Sequence, residues 1–121
     1  MSIELKPLEP SKRRSCPEEF SFGATFSDHM FSQKYENGKG WFDAEVVPYQ
    51  NISLDPSAAV FHYGQEIFEG LKAYRKADGT INLFRPQENF KRFNRSAQRM
   101  VMPTVEVDFH LQALKELIAL D

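Results

Sequence analysis

Two turns limit what this chain can fold into. Glu36-Asn37-Gly38-Lys39-Gly40 sets two glycines able to take positive φ between two extended runs, and Ala77-Asp78-Gly79 stands between two more. Ahead of the first turn, Phe22, Ala24, Phe26, Asp28 and Met30 alternate with Gly23, Thr25, Ser27 and His29, the spacing of a strand with two distinct faces. Trp41 to Tyr49 reads as the returning strand, and Pro48 marks where regular pairing stops. Around the second turn, Leu71–Lys76 and Thr80–Arg85 form the arms. Leu71, Ala73, Ile81 and Leu83 share one face, and Tyr74 and Phe84 the other. Apolar residues on both faces predict a sheet covered on both sides.

Beyond Arg85 the apolar period changes from two to that of a helix. Pro86 suits a first helical position, where its missing N–H costs nothing, and the helix is predicted to run to about Met102 with Pro103 beyond it. Phe90, Phe93, Ala97 and Met100 make its inner stripe. Asp108 is the expected cap of a last helix with Leu111, Leu114 and Ile118 inward. That helix reaches Asp121 with no capping residue after it, so the chain reads as cut. Asn51 to Ser57 is loop. Ser57 to Gly70 is ambiguous, although Tyr63–Glu69 can form a short helix that Gly70 would end. Residues 1–19, with Pro7, Pro10 and Pro17 and the Lys12-Arg13-Arg14 cluster, read as a flexible, solvated arm. The remainder, 20–121, reads as one small α+β domain, mainly antiparallel sheet with flanking helices.

A chain of 121 residues has room for one core of ordinary size. Its formal net charge of −2 provides no basic patch for nucleic acid. No apolar run approaches membrane-spanning length, and the amino terminus lacks the apolar core of a signal peptide. A single cysteine, Cys16, has no internal disulfide partner and no zinc-ligand spacing. These features place the chain in the cytoplasm, without membrane or nucleic-acid partners.

Few constellations carry chemistry. Ser27-Asp28-His29 holds the three residue types of a hydrolytic triad, but alternation along a strand points Asp28 away from the other two. His29, His62 and His110 lack ligand spacing and read as ordinary polar or packing histidines. Arg92, Arg95 and Arg99 fall on one side of the predicted helix, roughly opposite the apolar stripe. Two readings fit them: a solvated outer face, or one arginine turned into a cleft to pair with a phosphate or carboxylate through its planar fork. Periodicity does not choose between the two. Aromatics such as Phe22, Phe26, Phe68 and Tyr74 are read first as core, while Tyr63, in a broken segment, has a hydroxyl that needs a polar partner if buried.

Four stretches in register carry a more specific signal. Phe22-Gly23-Ala24-Thr25-Phe26-Ser27-Asp28-His29-Met30, His62-Tyr63-Gly64-Gln65-Glu66-Ile67-Phe68-Glu69-Gly70-Leu71-Lys72-Ala73-Tyr74, Leu83-Phe84-Arg85-Pro86 and Asn89-Phe90-Lys91-Arg92-Phe93-Asn94-Arg95-Ser96-Ala97 strongly resemble the amino-terminal part of branched-chain amino acid aminotransferases. The resemblance covers nearly everything from Phe20 to Asp121. It implies the small domain of the type IV fold of pyridoxal-phosphate enzymes, in a protein working as a homodimer or larger assembly. By the same resemblance Arg92 is the arginine that binds the cofactor phosphate, and Phe22, Tyr63 and Phe68 line the substrate side-chain pocket. The family's Schiff-base lysine lies beyond the matched region, and no lysine of this chain aligns with it. The carboxylate that pairs with the pyridine nitrogen is absent from the matched region as well. The resemblance thus implies a fragment with most of one wall of an active site, inactive alone, from an enzyme exchanging amino groups between leucine, isoleucine or valine and 2-oxoglutarate. Other enzymes of that fold, such as D-amino acid aminotransferase or aminodeoxychorismate lyase, match less densely. A non-catalytic folding or assembly module is the alternative of a different class.

Overall fold

The computed structural model describes residues 2–121. The chain divides into two compact units, one made of the residues up to Asn51 together with Ala113–Asp121, the other of Ile52–Gln112.

In the first unit, β1 (Glu4–Leu5), β2 (His29–Glu36) and β3 (Gly40–Pro48) form a sheet in the order β1-β3-β2. β2 and β3 are the expected antiparallel hairpin, with Gly38 at φ 85° and Gly40 at φ 83° closing the turn. Between Ser32 and Lys34 the register slips, because Ala44 and Asp43 of β3 stand opposite Gln33 alone. Asp43 takes the left-handed conformation there (φ 51°), which a short polar side chain tolerates, and its carboxylate accepts from Lys34 Nζ at 2.9 Å. Ala44, Val46 and Val47 are buried, and the adjacent Val46 and Val47 leave opposite faces, so both faces of β3 are covered.

The strand expected from Phe22 onward begins only at His29. Gly23 adopts φ 75°, and the N–H groups of Ala24 and Thr25 both donate to Ser21 O at 3.1 Å, so Ser21–Thr25 curls into a turn. Local closure at a glycine outcompetes an alternating pattern that has no partner strand. Residues 2–19 of the expected arm (1–19) are held at several points. Glu4–Leu5 pairs in parallel with Glu45–Val46, Lys6 N donates to Val46 O at 2.9 Å, and Arg14 Nε donates to Asp28 Oδ1 at 2.8 Å.

The second unit opens with α1 (Ala59–Tyr63). The helix expected over Tyr63–Glu69 does not form: Tyr63 is the last residue of α1, Gly64, not Gly70, supplies the left-handed cap at φ 58°, and residues 65–72 carry no regular structure. The first glycine after the helix starts is enough to stop it. β4 (Ala73–Arg75) and β5 (Ile81–Leu83) form the hairpin predicted around Asp78-Gly79, with Asp78 Oδ1 accepting from Thr80 N at 2.9 Å. The expected covering of both faces is not found: Ala73, Tyr74, Arg75, Ile81 and Asn82 are exposed and Leu83 is half-buried. The ladder is shorter than the apolar runs, and Leu71 and Phe84 fall outside it.

α2 (Pro86–Arg99) starts at Pro86 as expected but ends three residues before Met102. Val101 turns left-handed at φ 55°, and Met102 N donates back to Ala97 O at 2.8 Å, so the last carbonyls are satisfied by a reversal of the chain. Ala97 is fully buried, with Phe90, Phe93 and Met100 half-buried beside it. α3 (Val107–Leu120) is capped by Glu106 instead of Asp108: Phe109 N donates to Glu106 Oε2 at 2.6 Å and Asp108 N to Oε1 at 3.3 Å. Asp108 lies inside the first turn, where its charge still suits the helix dipole. The loop between α2 and α3 is tied back by Asn94, which exchanges two 2.8 Å hydrogen bonds with the backbone of Val105. Among the described residues, no helix is long and apolar enough to cross a membrane.

Candidate functional site

Arg92, Arg95 and Arg99 leave α2 on its exposed side, as the helical spacing required. Their surroundings differ. Arg92 is taken side-on by Glu69: Nε donates to Oε2 at 2.7 Å and Nη2 donates to Oε1. Glu69 lies in the irregular segment after α1, and three of its neighbours hold it. Arg92 is the first; Asn89 Nδ2 donates to Oε1 at 3.1 Å, and the Gly70 amide donates to the same oxygen at 3.2 Å. Asn89 Nδ2 also donates to Gly70 O at 2.9 Å, so one turn of α2 grips both the side chain of Glu69 and the backbone after it.

This network decides the charge state. Hydrogen bonds from Arg92 lower the Glu69 carboxyl to a pKa of about 2, with Asn89 and Gly70 adding to the effect against the cost of burial. Glu69 in turn raises Arg92 above the ordinary arginine value. The pair is therefore ionised at any pH near neutrality. The Glu69 side chain is 10% exposed and that of Arg92 60%, so the guanidinium keeps an open edge while the carboxylate is nearly enclosed.

Arg92 lines an open hollow with Ile67, Phe68, Arg95, Ser96 and Arg99. The side chains of Arg95 and Arg99 make no hydrogen bond or ion pair among the described residues. With Glu69 cancelling one of three guanidinium charges, the hollow stays positive and has one apolar aromatic wall, Phe68. That donor chemistry suits a phosphate or carboxylate group attached to an apolar body.

The residues singled out in the sequence are distributed as follows. Phe68 and Arg92 meet at this hollow. Tyr63, the last residue of α1, lines an adjoining one with Gln65 and Val101, and Arg99 and Met100 belong to both. Phe22 lies in the first unit, within the Ser21–Thr25 turn. The reading of Phe22 and Phe68 as core is overturned: Phe22 is fully exposed and Phe68 90% exposed, both outside the packed layers, and Tyr63, set apart from that reading, is 88% exposed. Sequence reasoning passed over Glu69 and Asn89. A faint sign was present, since Asn89 and Arg92 are one helical turn apart and form a two-donor face that asks for a carboxylate.

The Ser27-Asp28-His29 triplet makes three separate contacts. Ser27 Oγ donates to the His29 carbonyl at 2.8 Å, and Asp28 receives Arg14. His29 is 1% exposed; its Nε2 accepts from Leu8 N at 2.9 Å, so Nδ1 carries the proton that it donates to Asp121. This is a satisfied packing histidine. Among the described residues, no group of three His, Cys, Asp or Glu is placed to hold a metal ion.

No family model matches the chain. Individual proteins do. Branched-chain-amino-acid transaminase 1 of Bacillus subtilis is 49% identical over 119 residues, covering 98% of this chain and 33% of that protein. Branched-chain-amino-acid aminotransferase 2 of the same organism is 43% identical over 120 residues, covering 99% of this chain and 33% of the relative. The cytosolic branched-chain-amino-acid aminotransferase of Saccharomyces cerevisiae is 50% identical over 129 residues, with 98% of this chain and 34% of the relative covered. The chain spans about a third of the length of the curated relatives it matches. Along that third, in which its α+β fold carries the Arg92 hollow, the chain is similar to the amino-terminal part of the branched-chain amino acid aminotransferases.

Proposed function

We propose that this chain is the amino-terminal small domain of a pyridoxal-phosphate-dependent transaminase, with the expected arm before residue 20 paired onto its sheet through Glu4–Leu5. Its substrates are leucine, isoleucine or valine, with 2-oxoglutarate as partner substrate. The observation that carries this reading is identity of 42–50% along nearly the whole chain to proteins of that name. The bound cofactor supplies the electron sink on which the amino group changes hands. In this reading Arg92 holds the cofactor phosphate through its open edge, Arg95 and Arg99 add positive potential, and Phe68, Tyr63 and Phe22 surround the aliphatic side chain. Aromatic walls exclude water from a branched apolar group and give its orientation without polar contacts. The enzyme is cytoplasmic, a homodimer or larger homo-oligomer, and needs neither membrane nor nucleic acid. By the resemblance none of this chain's lysines is the one that binds the cofactor covalently, so the 121 residues alone are expected to turn over no substrate.

The test is an assay of a protein that contains this sequence at the full length of its relatives. Amino transfer from leucine, isoleucine and valine to 2-oxoglutarate is expected to exceed that from D-alanine by orders of magnitude. Preference for the D-amino acid, or lyase activity on aminodeoxychorismate, would replace the reading with another enzyme of the same fold.

A further inference from the structure

We propose that Glu69 is a positioning residue for anion binding: it keeps the Nε side of Arg92 and turns the outer Nη edge to the incoming phosphate group. The inference rests on the assignment of Arg92 as the anion-binding arginine. A guanidinium presents its five N–H donors in a plane, and one carboxylate can occupy only one edge at a time. Glu69 occupies the Nε–Nη2 edge. That leaves both protons of Nη1 and the outer proton of Nη2, a second pair of parallel donors, and the 60% exposure of the side chain leaves them reachable. The phosphate therefore meets the end of the guanidinium instead of its side.

An opposite role is possible in principle, with Glu69 filling the anion site until a ligand evicts it. The geometry disfavours eviction. The carboxylate is 10% exposed and held by Asn89 Nδ2 and the Gly70 amide as well as by Arg92. Separating it from Arg92 would give up two charge-assisted hydrogen bonds, which sharing the guanidinium between two anions on two edges keeps.

The experiment uses the 121-residue chain, its arginine side-chain N–H signals followed by NMR, and inorganic phosphate as the probe. With phosphate added, the Nη signals of Arg92 are expected to shift while its Nε–H stays slow to exchange, still on Glu69. Glu69→Gln adds net positive charge, so simple electrostatics predicts tighter phosphate binding. Positioning predicts binding weaker by about tenfold, the scale of one charge-assisted hydrogen bond, with faster exchange at Nε–H. Asn89→Ala, which loosens Glu69 without touching charge, is expected to weaken binding by about threefold and covers the case in which Glu69→Gln fails to fold. Transfer of Nε–H to phosphate, or binding to both variants as tight as to the parent chain, would overturn the inference. Unchanged binding to Arg92→Ala would instead remove the assignment of Arg92 beneath it.

Discussion

Arg92 and Phe68 show how much a side chain's role depends on what its neighbours have already claimed. Three arginines share one face of α2, yet only Arg92 is oriented by a partner. In the longer protein, Arg92→Ala is expected to weaken cofactor retention roughly ten- to a hundred-fold, the equivalent of about 1.5–3 kcal/mol for a lost charge-assisted hydrogen bond. Arg95→Ala and Arg99→Ala, which remove only potential, should each lose far less; cofactor absorbance after gel filtration compares the three. Equal losses would reduce the face to general electrostatics. Phe68 is 90% exposed in this chain, so Phe68→Ala should change stability by no more than about 0.5 kcal/mol in a denaturant titration, where a core phenylalanine would cost about 3–5 kcal/mol. In the longer protein the same variant should lose about 1–3 kcal/mol of discrimination between leucine and alanine in kcat/KM. A large stability loss with an unchanged substrate ranking would take Phe68 off the site.

At the scale of elements, the helices are closed by devices that a pattern of apolar residues does not contain. Asn94 sits mid-helix in α2, where its helix propensity is poor, and the reason is its pair of bonds to Val105 N and O. Val105 is buried, so Asn94→Ala strands a donor and an acceptor and should cost about 1–3 kcal/mol. The change is expected in the urea midpoint with an unaltered slope, since the surface exposed on unfolding is the same. A shift below about 0.5 kcal/mol would mean that water replaces both bonds. Tight turns were legible in advance because they need particular residues: Gly38 and Gly40 in one hairpin, Asp78-Gly79 in the other. The strand expected at Phe22 failed because alternation says nothing about whether a partner strand exists, and Gly23 offered an immediate local alternative. Glu106 displaced Asp108 as a cap by a similarly short-range choice, its longer side chain reaching forward to two free amides.

For the molecule as a whole, the proposed function has the chain supply anion donors and aromatic walls, while none of its lysines is the one that holds the cofactor. Borohydride treatment of the 121 residues with pyridoxal phosphate should leave no single lysine labelled stoichiometrically, and peptide mapping checks this; one fully labelled lysine together with leucine turnover would overturn the fragment reading. The sequence by itself determined the α+β class, both hairpins, the start of α2 at Pro86, its basic outer face and the relationship to the aminotransferases. Each of these depends on residues within a turn or two of one another, or on words of sequence long enough to be specific. Only the tertiary structure decided that Arg92 meets Glu69, 23 positions away, and that His29 is closed between Leu8 and Asp121, 21 and 92 positions away. No local propensity encodes such pairs. They form because burying a charge or an imidazole is tolerable only where folding delivers a complementary group, and that delivery is a property of the packed chain.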